Sequence, residues 1–179
     1  MERTDFVVHF NKIPPEGLQR SWRVADPRSA GIEIAVPVEG PLTAELDIQR
    51  FEDEMRVTGE VAATLRLECS RCLAPFDLPV QAEVEAIFAR RPEEDDEEGR
   101  ELGADDLEVQ YLDAGGGADL RAVIAEQVHL ALPIKPLCTP DCRGICPRCG
   151  ADLSGGACGC PPADADPRWA ALRSLSAKG

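Results

Sequence analysis

Eight cysteines constrain this chain more than any other feature, because every one of them sits in a close doublet. The doublets are Cys69-Ser-Arg-Cys72, Cys138-x3-Cys142, Cys146-Pro-Arg-Cys149 and Cys158-Gly-Cys160. Such spacings place thiols side by side across tight turns, which is how structural metal sites present four thiolates to a tetrahedral Zn²⁺. Disulfides are the competing reading, and the compartment decides between them. The start of the chain, Met1-Glu-Arg-Thr-Asp-Phe6, lacks the apolar stretch of a secretory signal. Charges or prolines also interrupt every apolar run well short of the roughly 20 residues of a membrane span. These features predict a soluble protein of a reducing cytoplasm, where disulfides are rare and thiols are free for metal.

Within the tail, Cys146-Pro-Arg-Cys149-Gly150 has the make-up of a zinc knuckle, with glycine after the second ligand to permit positive φ. A knuckle supplies two ligands and needs a second pair. Cys158 and Cys160 lie close on one side and Cys138 and Cys142 on the other, so spacing leaves both pairings open. The expected count is one Zn²⁺ within Cys138–Cys160. The alternative is two complete sites that use all eight cysteines, which requires Cys69 and Cys72 to meet the tail in space. So short a Gly/Pro/Cys segment has little core of its own, and metal binding there contributes folding free energy directly.

The rest of the chain is patterned for an antiparallel sheet. From Met55 to Glu68, Met55, Val57, Val61, Ala63, Leu65 and Leu67 alternate with Arg56, Thr58, Glu60, Thr64, Arg66 and Glu68, the mark of a half-buried strand. A second alternation runs from Leu78 to Phe88, and the two strands are expected to pair through the turn Cys69–Phe76. Ile32–Val38 and Leu42–Phe51 alternate too, and Phe6–Phe10 and Trp22–Val24 are candidate edges. Asp119 reads as an N-cap, followed by Leu120, Val123, Ile124, Val128 and Ala131 at helical spacing, until Pro133 stops the helix. Asp166-Pro167 repeats the cap pattern ahead of a short helix over 166–176, with Trp169 and Leu172 as its anchors.

The fold class that follows is α+β: an antiparallel meandering β-sheet or partial barrel packed by one helix, then a zinc-stabilised cysteine-rich loop and a short terminal helix. A β-rich body occupies 1–90. An acidic, glycine-containing loop spans 91–118, with Glu93–Glu98 as a block of like charge and Leu107–Leu112 as a brief strand. The packing helix spans 119–133 and the cysteine-rich tail 134–179.

Charge separates along the same lines. The chain has 179 residues and a net charge of −14; residues 1–133 carry 13 basic and 29 acidic side chains, and residues 134–179 carry 6 and 4. An acidic body disfavours a protein that coats nucleic acid and favours capture of a basic partner, while the tail can approach RNA without repulsion. Catalytic constellations are missing. There is no His-Glu-x-x-His, no Gly-x-Ser-x-Gly and no phosphate loop, and His9 and His129 read as structural or surface residues. Cys69 and Cys72 have thioredoxin spacing, but that chemistry requires a helix to begin at the first thiol, and a strand is expected next. The chain is read as non-enzymatic, without a small-molecule substrate or a membrane partner.

Glu68-Cys69-Ser-Arg-Cys72-Leu73 after an alternating strand, then Leu130-Ala-Leu-Pro133, Cys138-x3-Cys142-Arg-Gly-Ile-Cys146-Pro-Arg-Cys149-Gly and Asp166-Pro-Arg-Trp169 occur in one order. Over roughly residues 30–175 the chain resembles the YceD family of large ribosomal RNA subunit accumulation proteins. Ile145 stands where Leu is usual, and Ala151–Ser154 replaces an Asn-Leu-Asn-like stretch; neither change removes a ligand. The resemblance implies a bacterial or plastid ribosome-biogenesis factor that supports large-subunit ribosomal RNA processing or accumulation. It also implies that the tail metal site is an accessory, since some members keep Cys-x-Arg-Cys and lack the later cysteines. The expected partners are a basic ribosomal protein of the large subunit or a precursor large subunit, with Arg71, Arg143, Arg148 and Arg168 as candidate contacts. The alternatives are a zinc-knuckle protein that binds ribosomal RNA directly, and a thiol redox or metal-responsive switch at Cys69 and Cys72.

Overall fold

The computed structural model describes residues 5–90, 109–161 and Arg168. Strand order along the chain is β1 (Val7–His9), β2 (Leu18–Val24), β3 (Leu42–Phe51), β4 (Glu54–Glu68), β5 (Pro75–Ala89), β6 (Val109–Tyr111) and β7 (Gly117–Asp119), followed by helix α1 (Leu120–Leu130). The main sheet has the order β2-β3-β4-β5-β6, and β1 and β7 pair separately. The architecture is α+β with an open sheet, so of the two expected forms the partial barrel is not adopted.

Alternation explains the sheet. Trp22, Leu42, Leu46, Ile48, Met55, Val57, Val61, Leu65, Val84 and Phe88 all point to one face and are buried. Strands β4 and β5 pair antiparallel over their whole length, from Glu54↔Ala89 to Glu68↔Pro75, so a long hairpin carries the Cys69–Ala74 turn at its tip. Beyond its short pairing with β6, β5 is an edge strand. Pro79 is tolerated there because Thr64 opposite it turns its carbonyl away to accept from Glu39 N at 2.8 Å, leaving the missing N–H on the open edge.

Helix α1 covers the buried face, contributing Leu120, Val123, Ile124, Ala125 and Val128 to the core. Asp119 caps it, accepting from Arg121 N at 3.1 Å. Phe6 stacks on Trp22 with ring centroids 5.2 Å apart, closing the same core from the N-terminal side.

Two details depart from the expected strands. Ile32–Val38 keeps its pattern, with Ile32 and Ile34 buried, but forms only a bridge between Val38 and Leu65 rather than a strand. Pro37 has no N–H to donate, and Ala35 N donates instead to Nε2 of His129 at 2.9 Å. Strand β6 joins the sheet parallel to β5, with Ile87↔Val109 to Ala89↔Tyr111 in register. The expected loop therefore carries structure from Val109 onward. Asp113 organises the turn into β7, its Oδ1 accepting from Gly115 N at 2.7 Å and Gly117 N at 2.8 Å. The acidic block Glu93–Glu98 and the helix expected over 166–176 lie outside the described residues.

Candidate metal centres and the acidic sheet face

The cysteines converge into two groups. Cys69, Cys72, Cys138 and Cys142 form the first, Cys146, Cys149, Cys158 and Cys160 the second, and within each group all four Sγ atoms lie within 4.8 Å of one another. In the first, Cys69 Sγ is 3.6 Å from Cys142 Sγ and Cys72 Sγ is 3.7 Å from Cys138 Sγ. Those separations far exceed the ~2.05 Å of a disulfide. They match the roughly 3.8 Å that two sulfurs adopt on a tetrahedral ion bound at about 2.3 Å. The donors present fit a soft tetrahedral cation. Where one site within Cys138–Cys160 was expected, the fold assembles two candidate sites from all eight thiols. Cys138 and Cys142 turn back to the hairpin tip, which leaves Cys146 and Cys149 to pair with Cys158 and Cys160.

The backbone explains why the tail turns back. Ser70 N donates to Pro136 O at 2.8 Å, and Ile145 N donates to Arg71 O at 3.3 Å. Gly144 (φ +75°) packs so closely that an added Cβ would lie 2.9 Å from Arg71 O. The Arg71 guanidinium closes the contact, donating through NH1 to Cys142 O at 2.7 Å. Of the arginines expected to face a partner, Arg71 is thus engaged within the junction, while Arg143, Arg148 and Arg168 are exposed.

Both Cys-x-x-Cys turns use the same local geometry. Leu73 N donates to Cys69 O and Gly150 N to Cys146 O, each at 2.9 Å, with φ of +62° at Leu73 and +71° at Gly150. Glycine takes this left-handed conformation freely, whereas a leucine does so at a cost of about 1–2 kcal/mol. No sequence signal marks Leu73 as a turn residue of this kind.

Thiol acidity follows the same symmetry. Burial opposes ionisation of Cys69, but backbone N–H groups of Cys138, Cys72 and Arg71 outweigh it and bring its pKa down to about 6. Backbone N–H groups of Cys149 and Arg148 likewise bring Cys146 down to about 6. At Cys72 the Ala74 N–H acts to lower the value, but burial and the adjoining thiols push it up to about 12. The thiols of Cys149 and Cys158 push Cys160 up to about 12 as well. In each group the first cysteine of a knuckle, Cys69 or Cys146, is therefore the thiol most readily ionised and the first donor a cation would meet.

A second feature emerges only from the strand register. On the sheet face opposite the core, Glu45 of β3 stands directly across from Glu60 of β4, and Glu60 across from Glu83 of β5. Asp47 of β3 and Glu85 of β5 extend the patch on the strands that flank β4, both of them opposite Thr58. Among the described residues no cation pairs with the three glutamates. Arg66 is bound to Asp77 and Arg121 to Asp119, while Arg50 and Arg90 lie over the Phe10 ring. Like charges directly opposite one another destabilise a sheet.

Comparison with known proteins adds the family. Residues 57–176 match the family model described as Large ribosomal RNA subunit accumulation protein YceD. The chain belongs to the YceD family. Its description ties the family to ribosome biogenesis. Uncharacterized proteins of Mycobacterium tuberculosis and Mycobacterium bovis are each 36% identical over 167 residues, covering 93% of this chain and 77% of theirs. The chloroplastic Large ribosomal RNA subunit accumulation protein YCED homolog 1 of Zea mays is 26% identical over 144 residues, covering 68% of this chain and 49% of its own. No solved structure matches the chain. Among the described residues no helix is long and apolar enough to cross a membrane.

Proposed function

We propose that this YceD protein is a non-enzymatic cytoplasmic factor in large-subunit ribosome biogenesis. It holds a basic ribosomal protein, free or on a precursor particle, against its acidic sheet face, and Zn²⁺ fixes the tail. The observation that carries the reading is the row Glu45–Glu60–Glu83, which no cation neutralises among the described residues, a repulsive arrangement that opposite charge from a partner would relieve. Zn²⁺ suits the thiol groups because it favours four tetrahedral sulfurs and is redox-inert. When bound it supplies structural cross-linking; Cys69 and Cys146 offer the first thiolates, and the Arg71 junction orients the remaining donors. Metal binding is favoured over a redox switch because Cys69 and Cys72 sit in a turn between two strands, without the helix N-terminus that activates a redox thiol.

The test is capture by the tagged full-length chain from lysate of its own host, at low and moderate salt. Recovery of a basic large-subunit protein or precursor particle, reduced by Glu60→Lys, is the expected result. No such partner at either salt would refute it. A second reading has its own support in the exposure of Arg143 and Arg148 beside the knuckle, which suits contact with ribosomal RNA. RNA binding lost on charge reversal at these two arginines, with capture of protein unaffected, would favour it.

A further inference from the structure

The two thiol groups are closed by the chain in different ways. The first joins segments far apart in sequence, since its close sulfur pairs are separated by 73 and 66 residues. Cys69, Cys72 and Cys142 are buried together, and Ala74, Phe76 and Leu137 pack around them. The β4–β5 hairpin, the backbone bond from Ser70 to Pro136 and the Arg71–Cys142 contact hold these segments in place independently of any ion.

The second group closes entirely within Cys146–Cys160. Only Cys146 is buried; Cys149 is exposed, and Cys158 and Cys160 are half-buried. Its backbone bonds are local, Cys146 N to Ala151 O at 2.8 Å and Gly156 N to Leu153 O at 3.2 Å. None of its thiols belongs to an apolar cluster. The link to the body is the strap Cys142–Cys146, which carries the last ligand of the first group and the first ligand of the second, and whose centre rests on Arg71 O.

From this contrast we propose that Cys146, Cys149, Cys158 and Cys160 form an exchangeable site for a thiophilic d¹⁰ cation, mounted on a first site that stays loaded. The inference rests on the metal reading above and deepens it. Ligand exchange requires an incoming donor to reach the ion while thiolates leave singly, and Cys149 opens the second site to that approach. The first site has only Cys138 part-exposed. The cation passes to the acceptor's donors without change of oxidation state, and the thiolates it leaves take up protons from water. Dependence is unequal: the first site positions the strap on which the second is built, whereas the second loop bonds to that strap, through Leu153 N to Gly144 O at 2.9 Å and the Ile145–Asp152 bridge, and makes no backbone hydrogen bond to the hairpin tip itself.

The experiment uses the full-length chain purified under reducing conditions and loaded with Zn²⁺. Release to excess EDTA is followed by stopped sampling and elemental analysis of the protein fraction. Two equivalents are expected, the first leaving about tenfold faster than the second or more, which corresponds to a barrier difference of at least about 1.4 kcal/mol. The double variant Cys149→Ser/Cys158→Ser keeps only the slow equivalent and an unchanged far-ultraviolet spectrum. Cys72→Ser loses the slow equivalent and speeds release of the other. The ¹¹³Cd-substituted wild type gives two four-sulfur resonances, of which EDTA bleaches one first, a readout that needs no variant to fold. Two equivalents leaving at one rate, or loss of the slow equivalent in the Cys149/Cys158 variant, would overturn the inequality while leaving the metal reading intact. A chain that takes up no Zn²⁺ or Cd²⁺ would overturn both.

Discussion

Glu60 is the residue at which stability and partner binding should move in opposite directions. It faces Glu45 on one side and Glu83 on the other. Each directly opposed like-charge pair costs about 0.2–1 kcal/mol, so Glu60→Gln should stabilise the fold by about 0.4–2 kcal/mol. The amide can still accept from Gln81, whose Nε2 donates to Glu60 Oε2 at 2.7 Å, so that bond need not be lost. For a chain of this length the gain corresponds to a rise in Tm of about 1–8 °C. The pairs stand closer than the Debye length of about 8 Å at physiological salt, so the effect should persist there and shrink toward zero near 1 M, where that length is about 3 Å. Thermal melts of wild type and variant across this salt range measure the stability, and capture of the basic partner from lysate measures the binding. The expected pair of results is a more stable protein that retains less partner. A variant no more stable than wild type at low salt would refute the repulsive row, and undiminished capture would refute its role in docking.

Three further outcomes follow from the geometry. Gly59→Ala places a Cβ 2.1 Å from Glu45 O at φ +150°, so β3 and β4 must part, and a loss of about 3–5 kcal/mol by urea denaturation is expected. Gly144→Ala adds left-handed strain and a contact of 2.9 Å to Arg71 O. It should lower apparent Zn²⁺ affinity by roughly 30–150-fold in competition with a chromogenic chelator, through strain of about 1–2 kcal/mol and loss of one backbone bond worth about 1 kcal/mol. Hydrogen bonding from Arg121 lowers the Asp119 pKa below its ordinary 3.8, so the stability it lends is fully present above that value and is lost as pH falls through the depressed folded value. Asp119→Ala should cost about 1 kcal/mol at neutral pH in chemical denaturation and progressively less in that acid range.

How much of this was legible in the sequence depends on the range of the interaction. The strands Leu42–Phe51, Met55–Glu68 and Leu78–Phe88 and the helix after Asp119 were readable because each is written in a local period that burial then enforces. Ile32–Val38 carries the same period without the strand, because Ala35 N at its centre donates to a histidine side chain 94 residues away and Pro37 has no N–H to pair. Strand β6 spans only three residues and pairs parallel, too short for its period to fix orientation. The cysteine doublets announced metal chemistry, but their grouping was set by contacts at Arg71 that doublet spacing does not encode. Gly144 was the available hint, as a glycine placed between two ligands where backbone must approach backbone. Leu73 gave none.

The hairpin joins the acidic row and the first thiol group through a single element. Glu60 and Cys69 lie on the same rigid strand and its tip, nine residues apart, or about 30 Å at strand rise. The row is held by register, which a one-residue slip would turn into the core, so its position is as fixed as the core itself. The tail has no such register and is located by the Arg71 junction. Arg143 and Arg148 therefore stand at a set distance from the acids only while that junction is closed. A basic protein on the sheet face and a phosphate backbone at the tip could then be gripped together, which neither charge cluster achieves alone. Opening that junction should for that reason abolish simultaneous protein and RNA retention while leaving the salt-sensitive capture of the basic protein by the acidic row, as Gly144→Ala assayed beside Glu60→Lys would reveal.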